Sequence, residues 1–132
     1  MKGFSLTNGT RHPVPRVPFS NFAENILGRH YELSVVLVGD TRMQRLNRSY
    51  RNKDTTTDIL AFPLEKNSGE IILNVRKARA KAKKFGMTPN DYLNFVFIHG
   101  LLHLKGMDHG RTMERLEDTW CRKFGVPYPV RD

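Results

Sequence analysis

Three of the five histidines in this 132-residue chain stand close together, at positions 99, 103 and 109. Histidines four residues apart share one face of a helix, so the imidazoles of His99 and His103 can reach the same metal ion. Gly106 can adopt the positive φ that ends a helix and reverses the chain, which brings His109 in from a loop as a third ligand. Three protein ligands leave one position open for water or substrate, the arrangement of catalytic zinc. We therefore predict one Zn²⁺ per chain at these histidines, although nickel or another divalent ion can occupy such a site in a purified sample.

Single histidines on apolar helices usually serve packing, but three at this spacing around a helix-ending glycine favour a metal site. The same spacing occurs in the metzincin proteases, HExxHxxGxxH, whose glutamate is the general base for peptide hydrolysis. Gly100 occupies the position of that glutamate here. A metalloprotease-like hydrolase is therefore the least favoured function. His12 and His30 have no comparable neighbours, and we expect them to be surface or packing residues.

The sequence around the histidines predicts the element that positions them. Thr88 is a suitable helix cap, and Pro89 suits the first helical position. The residues that follow are apolar on nearly every side, and Gly106 then stops the pattern. A helix that is hydrophobic all round is buried. We expect a buried central helix that carries His99 and His103.

Periodic patterns elsewhere predict helices and strands in alternation. Further helices are expected at residues 19–27, 75–85 and 113–124. Another is expected to begin at a cap formed by Asp40 or Thr41, with Met43, Leu46 and Tyr50 on its buried face. Strands are expected at residues 33–38, 58–63 and 70–74, the last two forming a hairpin through a turn at 66–69. The predicted fold class is therefore α+β (mixed α/β), a single domain over residues 1–132. Its small mixed sheet of about four strands packs around the central helix.

The charge of the chain favours a polyanionic partner. It carries 22 Lys and Arg against 13 Asp and Glu, a net charge of +9, and its pI is about 10.1. Nucleic acid is the common partner of so basic a domain, although charge alone also fits a protein that is merely basic. No apolar run approaches the ~20 residues of a membrane helix, and the N-terminus lacks the apolar stretch of a signal peptide. Cys121 is the one cysteine, so no internal disulfide can form. We expect a cytoplasmic protein with no membrane partner.

Two blocks of sequence resemble a known family. Residues 99–109, HGLLHLKGMDH, closely resemble the HGxLHLxGxDH metal motif of the YbeY family of ribosomal-RNA maturation endoribonucleases. Residues 46–63, LNRSYRNKDTTTDILAFP, are similar to that family's LNxxYRxxDxxTDVLSFP segment, with Ala61 in place of serine. Residues 69–71, Gly-Glu-Ile, resemble the G-[DE]-I that follows. Met107 departs from the usual tyrosine, and the resemblance extends from about residue 33 to residue 120.

The resemblance implies a single domain, a metal held by His99, His103 and His109, and cleavage of single-stranded RNA. It further implies a role in 3′-end processing of 16S ribosomal RNA and in ribosome quality control. Arg51 matches the family's functional arginine, which is thought to contact RNA near the metal, and is expected with the three histidines to be catalytic. The expected partners are single-stranded RNA, ribosomal RNA and the small ribosomal subunit, with no small-molecule cofactor.

Several alternatives stay open at the level of sequence. The nucleophile is either water activated by the metal or the 2′-hydroxyl of the RNA. No general acid is identified: Asp108 and Glu114 are both near in sequence, and Asp108 could equally orient a ligand imidazole. The basic helix at 75–85 either follows the RNA backbone or is a solvated surface, and the turn at 55–58 either caps the site or is ordinary turn chemistry. The competing function is a non-catalytic ribosome-assembly factor whose metal holds the fold or positions RNA.

Overall fold

A computed structural model describes residues 1–53 and 55–129; Asp54 of the second motif and residues 130–132 lie outside this description. The elements, in chain order, are β1 (Phe4–Asn8), α1 (Phe19–Leu27), β2 (Glu32–Leu37), α2 (Asp40–Arg51), β3 (Ile59–Glu65), β4 (Ser68–Leu73), α3 (Val75–Lys81), a 3₁₀ turn (Ala82–Phe85), α4 (Pro89–Leu104) and α5 (Arg111–Phe124). The predicted helices and strands therefore lie within one or two residues of their expected bounds. The basic segment departs from prediction because its last turn is 3₁₀, before Gly86 ends it at φ 64°.

The four strands form one mixed sheet in the order β1-β2-β4-β3. β1 and β4 run parallel to β2, whereas β3 pairs antiparallel with β4 as the predicted hairpin and forms an edge. The mixed sheet of about four strands is therefore confirmed. β1 was not among the strands located from the sequence: it is an edge strand in which Phe4 and Leu6 are only half-buried, so its apolar signal is weak.

α4 is the buried centre of the fold, as predicted. Phe97, Ile98, Leu101 and Leu102 on this helix are fully buried, and the helix packs against the sheet, α1, α3 and α5. Each such side chain removed from water contributes about 1.5–3 kcal/mol before entropy is counted. The predicted cap is present, because the Thr88 hydroxyl accepts a hydrogen bond from the Asp91 N–H at 3.2 Å. The backbone that carries the first two histidines is thus fixed by the core.

α2 covers the opposite face of the sheet, and here two predictions are wrong. Tyr50 was expected to be buried but is 65% exposed, because Met43 and Asn47 occupy the buried positions of the helix and Tyr50 follows them at its outer end. Neither Asp40 nor Thr41 caps the helix: Gly39 is the cap residue, and no side chain bonds there. The Asp40 carboxylate instead accepts a hydrogen bond from the Asn74 amide at 2.7 Å.

Candidate metal centre

The turn after α4 brings the three predicted histidines together. Gly106, at φ 94°, donates its N–H to the His103 carbonyl at 3.0 Å, and Met107 donates to the Leu102 carbonyl at 3.1 Å. This pair of bonds is the Schellman motif, which satisfies the last carbonyls of a helix while the chain reverses. The reversal returns His109 to the face of α4 that carries His99 and His103.

The geometry of the three imidazoles fits one metal ion. The Nε2 atoms of His99 and His103 lie 3.0 Å apart, and one ligand atom from each of the three histidines lies within 4.8 Å of the others. Two nitrogens bound to a tetrahedral zinc at ~2.0–2.1 Å are about 3.3 Å apart, close to the first of these distances. His99 and His103 are half-buried and His109 is exposed. The cluster therefore could hold a metal with one side open.

A buried carboxylate that the sequence analysis missed orients the first histidine. Glu117 on α5 is 1% exposed, and its Oε2 lies 2.6 Å from His99 Nδ1. The Tyr128 hydroxyl donates to the other carboxylate oxygen at 3.2 Å. Because Nδ1 carries the proton in such a pair, Nε2 of His99 is left free to face its neighbours. The signal was present in the sequence: Glu117 stands four residues from both Met113 and Cys121, in an otherwise apolar stripe of α5.

The surroundings of His103 favour its neutral imidazole. Burial lowers the pKa of His103, and the nearby His99 and His109 lower it further. Neutral imidazole is the form that binds a metal. Asp108, which the sequence offered as an orienting carboxylate, is exposed. Its negative charge raises the pKa of His103, but by less than burial and the two neighbouring histidines lower it.

The histidines face an open cleft of about 570 Å³ along the edge strand β3. Arg51, at the end of α2, lines the same cleft, so the structure brings the predicted arginine and the predicted histidines together. Lys81 of the basic segment also lines it and pairs with the largely buried Asp58 at 3.4 Å. Arg76 and Arg79 of that segment line a separate groove instead. The basic segment is therefore divided between two surfaces.

The predicted turn at 55–58 divides in a similar way. Thr57 and Asp58 line the cleft. Thr55 and Thr56 hold the loop, because the Thr55 carbonyl accepts from Asn47 at 2.9 Å and the Thr56 hydroxyl accepts from Asn74 at 3.2 Å. The turn thus has both a site-facing half and a structural half.

The structure explains why position 100 is a glycine, which the sequence alone did not reveal. A Cβ at this position would lie 2.5 Å from the Ile59 Cδ1 atom on β3. The absence of a side chain lets α4 lie close against the edge strand beside the cleft. A glutamate at position 100, as in the proteases, would require Ile59 to move.

Fold and site together define a small α+β protein with a candidate three-histidine metal centre in an open cleft. The profile of the family described as Endoribonuclease YbeY matches residues 16–124, and the chain belongs to that family. The resemblance found in the sequence is therefore confirmed, and with it the assignment to nucleases that act on RNA.

The chain is similar to curated relatives and to a solved structure. It is 40% identical over 97 residues to Endoribonuclease YbeY of Solibacter usitatus, which covers 70% of this chain and 65% of that protein. It is 35% identical over 135 residues to Endoribonuclease YbeY of Sulfurovum sp., covering 92% and 90% of the two chains. The solution structure of TM1509 from Thermotoga maritima is 25% identical with a TM-score of 0.66, covering 91% of this chain and 87% of that one. The structural match confirms the fold class.

Among the residues that the structure describes, no helix has both the length and the apolar character needed to cross a membrane.

Proposed function

We propose that this protein is a zinc-dependent endoribonuclease that cleaves single-stranded RNA in the 3′-end maturation of 16S ribosomal RNA and acts in ribosome quality control. The observation that carries the proposal is the convergence of three imidazoles and Arg51 in one cleft of a YbeY-family chain. The net charge of +9 suits a polyanionic substrate. We place the activity in the cytoplasm, with ribosomal RNA and the small ribosomal subunit as partners.

His99, His103 and His109 would hold the metal. The clustered donors are all imidazoles, and no cysteine is among them, which suits zinc and also admits nickel. A zinc ion so held supplies Lewis acidity to a phosphate oxygen or to the attacking oxygen. The cluster opens to the cleft on the side of the exposed His109, where an RNA phosphate can approach.

Glu117 acts through His99. By accepting a hydrogen bond from the Nδ1–H of His99 at 2.6 Å, it holds the ring so that Nε2 faces His103. Tyr128, bonded to the second carboxylate oxygen, limits the rotation of Glu117 in turn. Such outer partners of ligand histidines are worth about 10–100-fold in metal affinity or activity.

Arg51 supplies a positive charge to the substrate. A guanidinium offers paired donors in a fixed geometry that matches two phosphate oxygens. Held against the scissile phosphate, it stabilises the negative charge that accumulates as the phosphorus becomes five-coordinate. Its exposed position at the rim of the cleft lets it meet the RNA from the side opposite α4.

The nucleophile is identified by the products. A 2′,3′-cyclic phosphate end requires attack by the 2′-hydroxyl of the RNA. Cleavage of a substrate with a 2′-deoxy nucleotide at the scissile position requires attack by water.

Cleavage and metal content, measured together, test the proposal. Wild type, His103→Ala and Arg51→Ala would be compared on a labelled single-stranded RNA that carries the small-subunit 3′ end. His30→Ala and Arg45→Ala are matched controls, because both residues are exposed and neither lines the cleft. Circular dichroism would first show that every variant folds.

The proposal expects about one metal per chain in wild type, and cleavage that is lost in both test variants but kept in both controls. Arg51→Ala should retain its metal, since Arg51 is not among the clustered ligand atoms. Metal and RNA binding without any cleavage by wild type would contradict the proposal and favour the non-catalytic assembly factor.

A further inference from the structure

Tyr50 is a large aromatic side chain that the core does not use. It is 65% exposed at the end of α2, one residue before Arg51. Its ring lies against the ring of Phe62 on β3, with centroids 4.9 Å apart and planes tilted by 51°. One face of Tyr50 is therefore supported by protein while much of the ring remains open to solvent.

Phe62 connects this ring to the cleft. It packs against the small core cluster beneath α2 and also lines the cleft that contains Arg51 and the histidines. The pair formed by Tyr50 and Phe62, here called the aromatic pair, is thus continuous with the cleft rim. Because Phe62 is half-buried, the pair has a fixed base and an exposed outer ring.

The chemistry beside the aromatic pair suits RNA. Arg51 and Lys53 are both exposed and flank the end of the helix, where Asn52 turns the chain at φ 54°. Positive charge next to an exposed ring matches a nucleotide, which offers a phosphate and a base face together. The face of a base is free to stack on a side chain in a single strand, whereas in a duplex it is covered by its neighbours.

We propose that Tyr50, supported by Phe62, stacks on one unpaired base of the RNA next to the phosphate that Arg51 contacts, and that this contact gives the enzyme its preference for single strands. The inference rests on the proposed function, because it names the substrate contact of the same cleft. Stacking of this kind is sequence-tolerant, since every base has a π face.

The test combines kinetics with a direct probe of stacking. Wild type, Tyr50→Ala and Tyr50→Phe would be compared on short single-stranded RNAs in which 2-aminopurine replaces each base in turn, because stacking on an aromatic ring quenches its fluorescence. Leu64→Ala is the matched control: Leu64 is 64% exposed on the same strand as Phe62 and lies outside the cleft lining. Thermal unfolding would confirm that all four proteins fold.

We expect Tyr50→Ala to raise KM by about 5- to 100-fold with a much smaller change in kcat, and Tyr50→Phe to stay within about twofold of wild type. Quenching should occur at one substrate position in wild type and Tyr50→Phe and be lost in Tyr50→Ala. Leu64→Ala should behave as wild type. An unchanged KM and unchanged quenching in Tyr50→Ala would overturn the proposal, as would an equal loss in Leu64→Ala, which would indicate a general apolar surface for a protein partner.

The same data separate this proposal from the proposed function. Cleavage by wild type without Tyr50-dependent quenching would leave the endoribonuclease in place and refute the stacking contact. Quenching that depends on Tyr50, in a protein that cleaves no RNA, would support the stacking contact and refute the enzymatic activity.

Discussion

The two sides of the cleft are held in different ways. On the α4 side, His99 is half-buried and its Nδ1 lies 2.6 Å from Glu117, which is itself 1% exposed. On the α2 side, Tyr50 and Arg51 are exposed at the last turn of their helix. Core packing thus orders the histidine side before any ligand arrives, whereas the α2 side meets solvent. Ligands of a metal must be placed to within about 0.5 Å, while a surface that binds RNA of varied sequence gains from adaptable contacts.

The largest expected effect falls on the buried side. His103→Ala removes one of three ligands from the centre of the cluster, so metal affinity should fall by more than the ~100-fold that loss of an outer partner costs. Cleavage should fall with it. Isothermal titration with zinc measures the loss of affinity. A zinc affinity equal to that of wild type would show that His103 is not a metal ligand.

Arg51 tests the exposed side, where a substitution should lower the rate of cleavage without changing zinc affinity. Arg51→Ala should lower kcat/KM by about 10²–10³-fold, as loss of one donor to a developing charge does, while zinc affinity stays unchanged. Arg51→Lys should recover only part of the rate, because a lysine cannot offer paired donors. Weakened zinc binding in Arg51→Ala would show that the two sides are not independent.

Substitution of Glu117 tests whether zinc binding by the histidines depends on the carboxylate that holds His99. Glu117→Gln keeps the shape of the side chain but removes the negative charge that strengthens the hydrogen bond from the Nδ1–H of His99, so zinc affinity should fall about 10–100-fold. Tyr128→Phe should have a smaller effect in the same direction, since it removes one neutral hydrogen bond to the carboxylate. A larger loss of zinc affinity in Tyr128→Phe than in Glu117→Gln would contradict this order.

Gly100 tests the contact between α4 and the edge strand. Gly100→Ala adds a Cβ that meets Ile59 Cδ1 at 2.5 Å. Because Cδ1 is the end of a flexible side chain, the overpacking should cost about 1 kcal/mol, the low end of its usual range, and alanine regains about 1 kcal/mol of helix propensity. Ile59→Val removes the clashing atom, so urea unfolding of the double variant should show a smaller loss than the sum of the two single losses. Additive losses would show that Ile59 already moves freely.

The thiol of Cys121 should change the pH dependence of the free energy of unfolding least near neutral pH and clearly at alkaline pH. Burial raises the pKa of its thiol from 9.0 to about 12, and Glu117 and Asp118 add to the shift. The unfolded chain therefore loses the thiol proton first, so this contribution to stability is present below pH 9 and is lost as pH rises toward 12. The free energy of unfolding should fall more steeply above pH 9 in wild type than in Cys121→Ala, measured by urea titration. Parallel pH profiles would indicate a thiol that is open to solvent.

The sequence predicted most of the histidine side because local rules govern it. The spacing of the histidines, the Thr88 cap and the glycine stop each act within a few residues. The cap and the stop are confirmed, and the structure brings the three histidines together as their spacing indicated. Glu117 was missed because its role depends on where α5 packs, which local periodicity does not specify. Tyr50 was wrongly placed inside for a related reason: a helical pattern shows which residues share a face, but not where the neighbouring core ends.

The same limit applies to the sheet. β3 and β4 were predicted as a hairpin because a turn joins them directly, whereas β1 pairs with a strand more than twenty residues away and has little apolar content of its own. Which distant strands pair depends on the packing of the whole fold and not on the residues of one strand alone.

An add-back titration tests whether cleavage depends on the metal. Protein freed of metal by a chelator would be titrated with zinc while cleavage of the labelled single-stranded RNA is followed. We expect cleavage to be absent without metal and to rise in proportion to added zinc up to about one ion per chain, with His103→Ala remaining inactive throughout. Full cleavage by the metal-free protein, or equal recovery by His103→Ala, would contradict this expectation.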